Sequence, residues 1–151
     1  MKSVFVTFSL VLIFNCSGVE AGEDWGQMLL WVDKYPSNKI APNGFSLLTQ
    51  PQLQHSLRKI LSKAEIAALA RYDVETPVHK IGEYLIVNKC LPHNCPADMA
   101  MVVIDVKNEK LWVGFFSRQP GRVSTRWYGM EDDYSILPDD IKKEFLSRHG
   151  D

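Results

Sequence analysis

Cys90-Leu91-Pro92-His93-Asn94-Cys95 is the stretch that most restricts what this chain can become. Pairing the two cysteines closes a six-residue ring with an imidazole at its tip, and Pro92-His93-Asn94 has the residue types of a tight turn. In the chain-entropy picture a loop this short adds only about 2 kcal/mol to stability. Its use is therefore shape, since a side chain held in place before binding loses little freedom on meeting its target.

Whether the cysteines pair depends on where the chain goes. Lys2, the apolar run Val4 to Phe14 and the small-residue end Val19-Glu20-Ala21 read as a secretory signal peptide over residues 1–21, cut after Ala21. The run is too short to span a bilayer. Cys16 leaves with the signal, and an even pair in an oxidising compartment reads as one disulfide. Residues 22–151 make one domain, of which 22–50 form an N-terminal helix and loop extension. The net charge of -1 offers no nucleic-acid surface and no polybasic membrane anchor.

Along the mature chain, Asp24 caps a predicted helix over Trp25–Val32, with Trp25, Met28, Leu29 and Val32 on one face. Tyr35-Pro36-Ser37-Asn38 and Ala41-Pro42-Asn43-Gly44 punctuate a loop. Thr49-Gln50-Pro51-Gln52 opens a helix with Leu53, Leu57, Ile60 and Leu61 inward. Ser62-Lys63-Ala64-Glu65 opens another through Ala70, burying Ile66, Leu69 and Ala70, while His55 reads as a surface residue. The period then becomes extended. Strands are predicted at Pro77–Ile81, Glu83–Val87, Met99–Asp105, Leu111–Ser117 and Arg122–Tyr128, joined by short antiparallel connections. A last helix, Asp139–Ser147, packs Ile141, Phe145 and Leu146 on the sheet, with Arg148, His149 and Gly150 at its end. The expectation is an α+β fold: a central antiparallel meander of about five strands, flanked by short helices, with the disulfide-closed loop protruding.

Several chemistries compete for the ring. Cys90, His93 and Cys95 could begin a zinc site, but structural zinc needs four ligands and no second cysteine pair exists. A thiol-disulfide oxidoreductase using Cys90 and Cys95 is the alternative reading, although thioredoxin-type pairs have two intervening residues and head a helix. Ser117 and Ser124 lie in no nucleophile elbow, and Glu131-Asp132-Asp133 suits a solvated turn better than a catalytic pair.

The strand, the ring Lys89-Cys90-Leu91-Pro92-His93-Asn94-Cys95, the strand Met99 to Asp105, Gly114-Phe115-Phe116-Ser117 and Thr125-Arg126-Trp127 together resemble the Ivy family, the inhibitors of vertebrate lysozyme. The resemblance runs from about Leu53 to the C-terminus. It implies a non-enzymatic periplasmic protein of a Gram-negative bacterium, often a homodimer, with no cofactor or metal. Its protruding loop would plug the active-site cleft of C-type lysozyme and so serve evasion of host defence. On that resemblance Cys90, Leu91, Pro92, His93, Asn94 and Cys95 form the inhibitory loop and His93 is its key residue. Cys90 and Cys95 set its width, Pro92 restricts the backbone before the histidine, and Asn94 braces the turn. Family members carry C-K-P-H-D-C, so Leu91 stands for a lysine and Asn94 for an aspartate. A lytic transglycosylase is the alternative target those two differences leave open.

Overall fold

A computed structural model describes residues 24–129 and 134–148. The signal peptide expected over residues 1–21, the turn expected at Glu131-Asp132-Asp133 and the helix stop expected at His149 and Gly150 lie outside the described residues.

Among them is one antiparallel sheet of six strands: β1 (Val74–Glu75), β2 (His79–Ile81), β3 (Tyr84–Cys90), β4 (Asp98–Asp105), β5 (Lys110–Gln119) and β6 (Arg122–Gly129). Strands β3 to β6 run as a meander, whereas β1 and β2 both lie along β3. Strand β1 meets its far end, with Val74 opposite Cys90, and β2 its near half, with His79 opposite Ile86. The two-residue β1 was not expected, since Val74-Glu75 is too short to show any period.

Each connection has a local cause. Gly82 takes φ +58° in the tight turn between β2 and β3. The Asp105 carboxylate accepts from the backbone N–H and the side-chain amide of Asn108, holding the turn between β4 and β5. Pro120-Gly121, with φ +73° at the glycine, joins β5 to β6 as a proline-glycine turn does.

The sheet is covered on both sides. Leu85, Val87, Val102, Ile104, Val113 and Phe115 face a layer made by the N-terminal segment, α1 (Pro51–Ile60) and α2 (Lys63–Arg71). Ile86, Met101, Val103, Trp112 and Phe116 face α3 (Asp139–Ser147). Pro51 starts α1, and Ser62 with Glu65 forms the reciprocal cap of α2. Thr49 does not cap α1. It closes a preceding short turn, Leu47–Thr49, by accepting from the Ser46 N–H.

Three inward-facing assignments change. The first helix, Trp25–Trp31, is 3₁₀ rather than α. With three residues per turn, Trp25, Met28 and Trp31 stack in one line and are buried, while Leu29, expected inside at a period of 3.6, is 45% exposed. Ala70 and Leu146 point to solvent, because Leu69 and Phe145 beside them already occupy the inward positions.

On the α3 side, Gly114 pairs with Trp127 of the edge strand β6. A Cβ at Gly114 would meet three indole carbons at 2.8 to 2.9 Å, so its missing side chain is the space the indole occupies. Trp127 then reaches Phe145 of α3, with ring centroids 4.6 Å apart. Gly114→Ala is therefore expected to lower unfolding stability by about 1–3 kcal/mol through overpacking. Urea denaturation should show this as a lower midpoint at unchanged slope, and an unchanged midpoint would refute the packing role.

Candidate functional site

The ring occupies the reversal between β3 and β4. Cys90 and Cys95 are disulfide-bonded, with Cα atoms 5.5 Å apart. Beyond the last ladder pair, Cys90 opposite Met99, the hydrogen bonds continue into the loop. The Leu91 N–H donates to the Asp98 carbonyl at 3.0 Å, and the Asp98 N–H donates to the Asn94 carbonyl at 2.9 Å. Outside the ring, the Arg118 N–H of β5 donates to the Ala97 carbonyl at 2.7 Å. The loop is thus an extension of the sheet and inherits its rigidity.

Its tip is a four-residue turn. The Asn94 N–H donates to the Leu91 carbonyl at 3.0 Å, with Pro92 and His93 at the two central positions. Proline first and positive φ second is the type II pattern, whose second central place ordinarily takes glycine or asparagine. Here it holds His93 at φ +64°. A side chain with a Cβ in the left-handed region costs about 1–2 kcal/mol relative to its usual backbone. The imidazole gains no burial in exchange, for it is exposed. Leu91, Pro92 and Asn94 are half-buried around it. The Asn94 amide donates to the Asp98 carboxylate, tying the tip to the first residue of β4.

The two sulfurs bond each other, Cys90 ends a strand, and Cys95 precedes Pro96 and another strand. Neither heads a helix, the setting that activates thiol pairs in thioredoxin-type enzymes. Among the described residues no group of three His, Cys, Asp or Glu side chains converges as a metal site. His55 is exposed on α1. Ser117 and Ser124 face each other across β5 and β6.

A polar cluster beneath the ring's base escaped the sequence reading. Glu144 of α3 is bonded by three partners: His79 Nε2 at 2.8 Å, Asn88 Nδ2 at 2.9 Å and Arg148 at 2.9 Å. Asn88 is buried two residues before Cys90, so this cluster fastens α3 to the strand that carries the ring. A polar Asn88 after the apolar Leu85-Ile86-Val87 is the one local hint of it. Burial raises the Glu144 pKa, but the bonds from His79, Asn88 and Arg148 outweigh that, and the net shift is below the ordinary 4.5.

On the opposite face of β3, Lys89 pairs with Glu75 of β1 at 2.9 Å, and Glu75 also accepts from the Ser37 N–H. Strand β1 is thereby held beside the ring's first cysteine.

The family model described as inhibitor of vertebrate lysozyme (Ivy) matches residues 52–149. No curated protein and no solved structure matches the chain.

Two outcomes are expected. His93→Gly should raise stability by up to about 1 kcal/mol, because glycine relieves the left-handed backbone, whereas His93→Ala should not; thermal melts of both variants compare them directly. The Glu144 bonds stabilise the fold fully above the ordinary carboxylate pKa and are lost as the pH falls through the lowered value. Glu144→Gln should therefore be less stable than the parent by about 1–2 kcal/mol near neutrality. That gap should close on acidification, and a gap independent of pH would show that the carboxylate is not the cause.

Proposed function

The chain belongs to the Ivy family, the inhibitors of vertebrate lysozyme, and we propose that it acts as an exported, periplasmic inhibitor of C-type lysozyme whose His93 enters the catalytic groove. The observation that carries this reading is an exposed imidazole held at positive φ on the tip of a disulfide-closed turn. Backbone strain with no packing return is characteristic of groups placed for a partner.

The chemistry follows from the two sides. C-type lysozyme is a retaining glycosidase whose two active-site carboxyl groups lie about 5 Å apart, one kept protonated and one ionised. An imidazole has one nitrogen on each side of a flat ring, and in its neutral form one donates while the other accepts. It can therefore donate to the ionised carboxylate and accept from the protonated acid, engaging both in the states that catalysis uses. No bond is broken and nothing turns over. The glycosidase is blocked because its acid and its nucleophile are both occupied.

Rigidity makes the contact effective. The disulfide, the bond closing the turn and the bond from Asn94 to Asp98 leave the tip little freedom to lose on binding. Leu91, half-buried in place of the family's lysine, offers the groove an apolar flank instead of a charge. The signal-like residues 1–21 support export, and an oxidising compartment suits the disulfide.

Titrating the mature chain into C-type lysozyme tests the reading. Each hydrogen bond to a charged group is worth about 1.5–3 kcal/mol, so His93→Ala should weaken inhibition by about 100-fold while the fold stays intact. Equal potency of parent and variant would rule out the imidazole as the inhibitory group.

A further inference from the structure

The end of the sheet that carries the ring carries a second feature. Asp98, Ser117 and Ser124 stand opposite one another on β4, β5 and β6, forming one cross-strand row on the α1 and α2 side. Arg122 and Arg126 lie two places either side of Ser124 and so project from the same face. With Ser117 and Gln119 they line an open cavity of about 260 Å³ beyond the edge of the helical layer. The two guanidiniums and two hydroxyls that surround it are all hydrogen-bond donors.

Both arginines are exposed, and neither makes an ion pair within 4.0 Å among the described residues. Arg126 lies against the ring of Phe115, 5.9 Å from its centroid, which fixes where its charge sits. One acid, Glu65, acts on this arginine without touching it. Glu65 is itself bonded to Tyr128, and on the Tyr72 hydroxyl Asp98 and Arg126 act in opposite senses, the carboxylate raising its pKa and the guanidinium lowering it. Asp98 is further engaged by the Asn94 amide. Among the described residues, then, no carboxylate is in direct contact with either guanidinium of the cavity.

Its distance from the ring decides what can cover it. Asn94 is bonded to Asp98, and from Asp98 to Ser124 is two strand spacings, about 10 Å. A specific inhibitor interface covers about 800 Å² of each partner, an area whose radius as a disc is about 16 Å. The ring tip alone is far smaller than that. An enzyme surface of that radius centred on the ring reaches over Ser124 and the arginines beside it. Covering two guanidiniums with no anion opposite would strip their hydration without return.

We propose that Arg122 and Arg126, with Ser117 and Ser124, form a carboxylate-receiving cradle that binds an acidic side chain on the rim of the inhibited glycosidase's cleft. This rests on the reading of His93 above and adds to it a second anchor. The cradle selects among glycosidases, since an enzyme with a neutral or basic residue at that point of its rim is disfavoured.

The test compares the mature parent, His93→Ala and the double variant Arg122→Gln with Arg126→Gln as inhibitors of C-type lysozyme at low and high salt. The double variant should keep the parent's thermal midpoint and bind about tenfold or more weakly at low salt. Its difference from the parent should shrink as salt rises, because the contact lies near the interface rim and is screened. Restoring both positions as lysine should recover most of the loss. A double variant as potent as the parent, beside an inactive His93→Ala, would overturn the cradle and leave the ring reading standing. Absence of inhibition by the parent would remove both. If acetate shifts the amide resonances of Ser117 and Ser124 in the parent but not in the double variant, and both inhibit equally, the cradle belongs to a free small anion and the proposal fails.

Discussion

A strand buried on both faces cannot take its register from hydrophobicity alone. From Met99 to Ile104 every side chain of β4 is buried, alternately beneath α1 with α2 and beneath α3. A slip by one residue would exchange the two sets and still bury apolar groups. The register must come from features that do not commute with such a slip, and the whole arrangement of the site depends on them. At one end of the β3–β4 hairpin the disulfide joins Cys90 to a loop of fixed length. At the other, Asp105 holds its turn through Asn108. Between β5 and β6 the pins are Pro120-Gly121 and the fit of Trp127 into the space above Gly114. The ring is one of the constraints that align the sheet as well as its most exposed product.

This dual role explains why the ring can display a strained residue. Its base is fastened on both sides, by Asn88 to Glu144 on α3 and by Lys89 to Glu75 on β1. Covalent closure and the bonds to Asp98 then over-determine the tip. A left-handed His93 persists because there is little lower-strain geometry the loop could relax into. The stability of the layered core is thereby converted into a fixed position for one imidazole.

What could be read without coordinates was mostly local chemistry. The reciprocal cap at Ser62 and Glu65, the proline start of α1, the glycine turns and the cysteine spacing act over a few residues, so their signals survive in the one-dimensional chain. The 3₁₀ winding of Trp25–Trp31 was not legible, because Trp25, Met28, Leu29 and Val32 make an apolar stripe at a period of 3.6, whereas only a period of three brings Trp31 into line with Trp25 and Met28. What chose between them was the need to bury two tryptophans in one line against the sheet. The Glu144 cluster was invisible for a different reason. Glu144 lies 65 residues from His79 and 56 from Asn88, and nothing in any one segment announces the others. The arginine cradle is similar: Arg122, Ser124 and Arg126 alternate along β6 as ordinary edge-strand residues do, and only the pairing with Ser117 gives them a common cavity.

The ring's departure from the family's C-K-P-H-D-C pattern at position 94 has a physical consequence of the same kind. With an aspartate at position 94, its carboxylate would face that of Asp98, and two like charges at hydrogen-bonding distance repel. Asn94 instead presents amide hydrogens to Asp98, so the brace is made with one charge where two would oppose each other. Asn94 and Asp98 are therefore best regarded as a pair whose identities go together. The same bond holds the Asp98 carboxylate at the end of the cross-strand row that runs through Ser117 to Ser124. Replacing Asn94 by the family's aspartate would loosen the tip and place a second anion beside the cradle, weakening both contacts through one change.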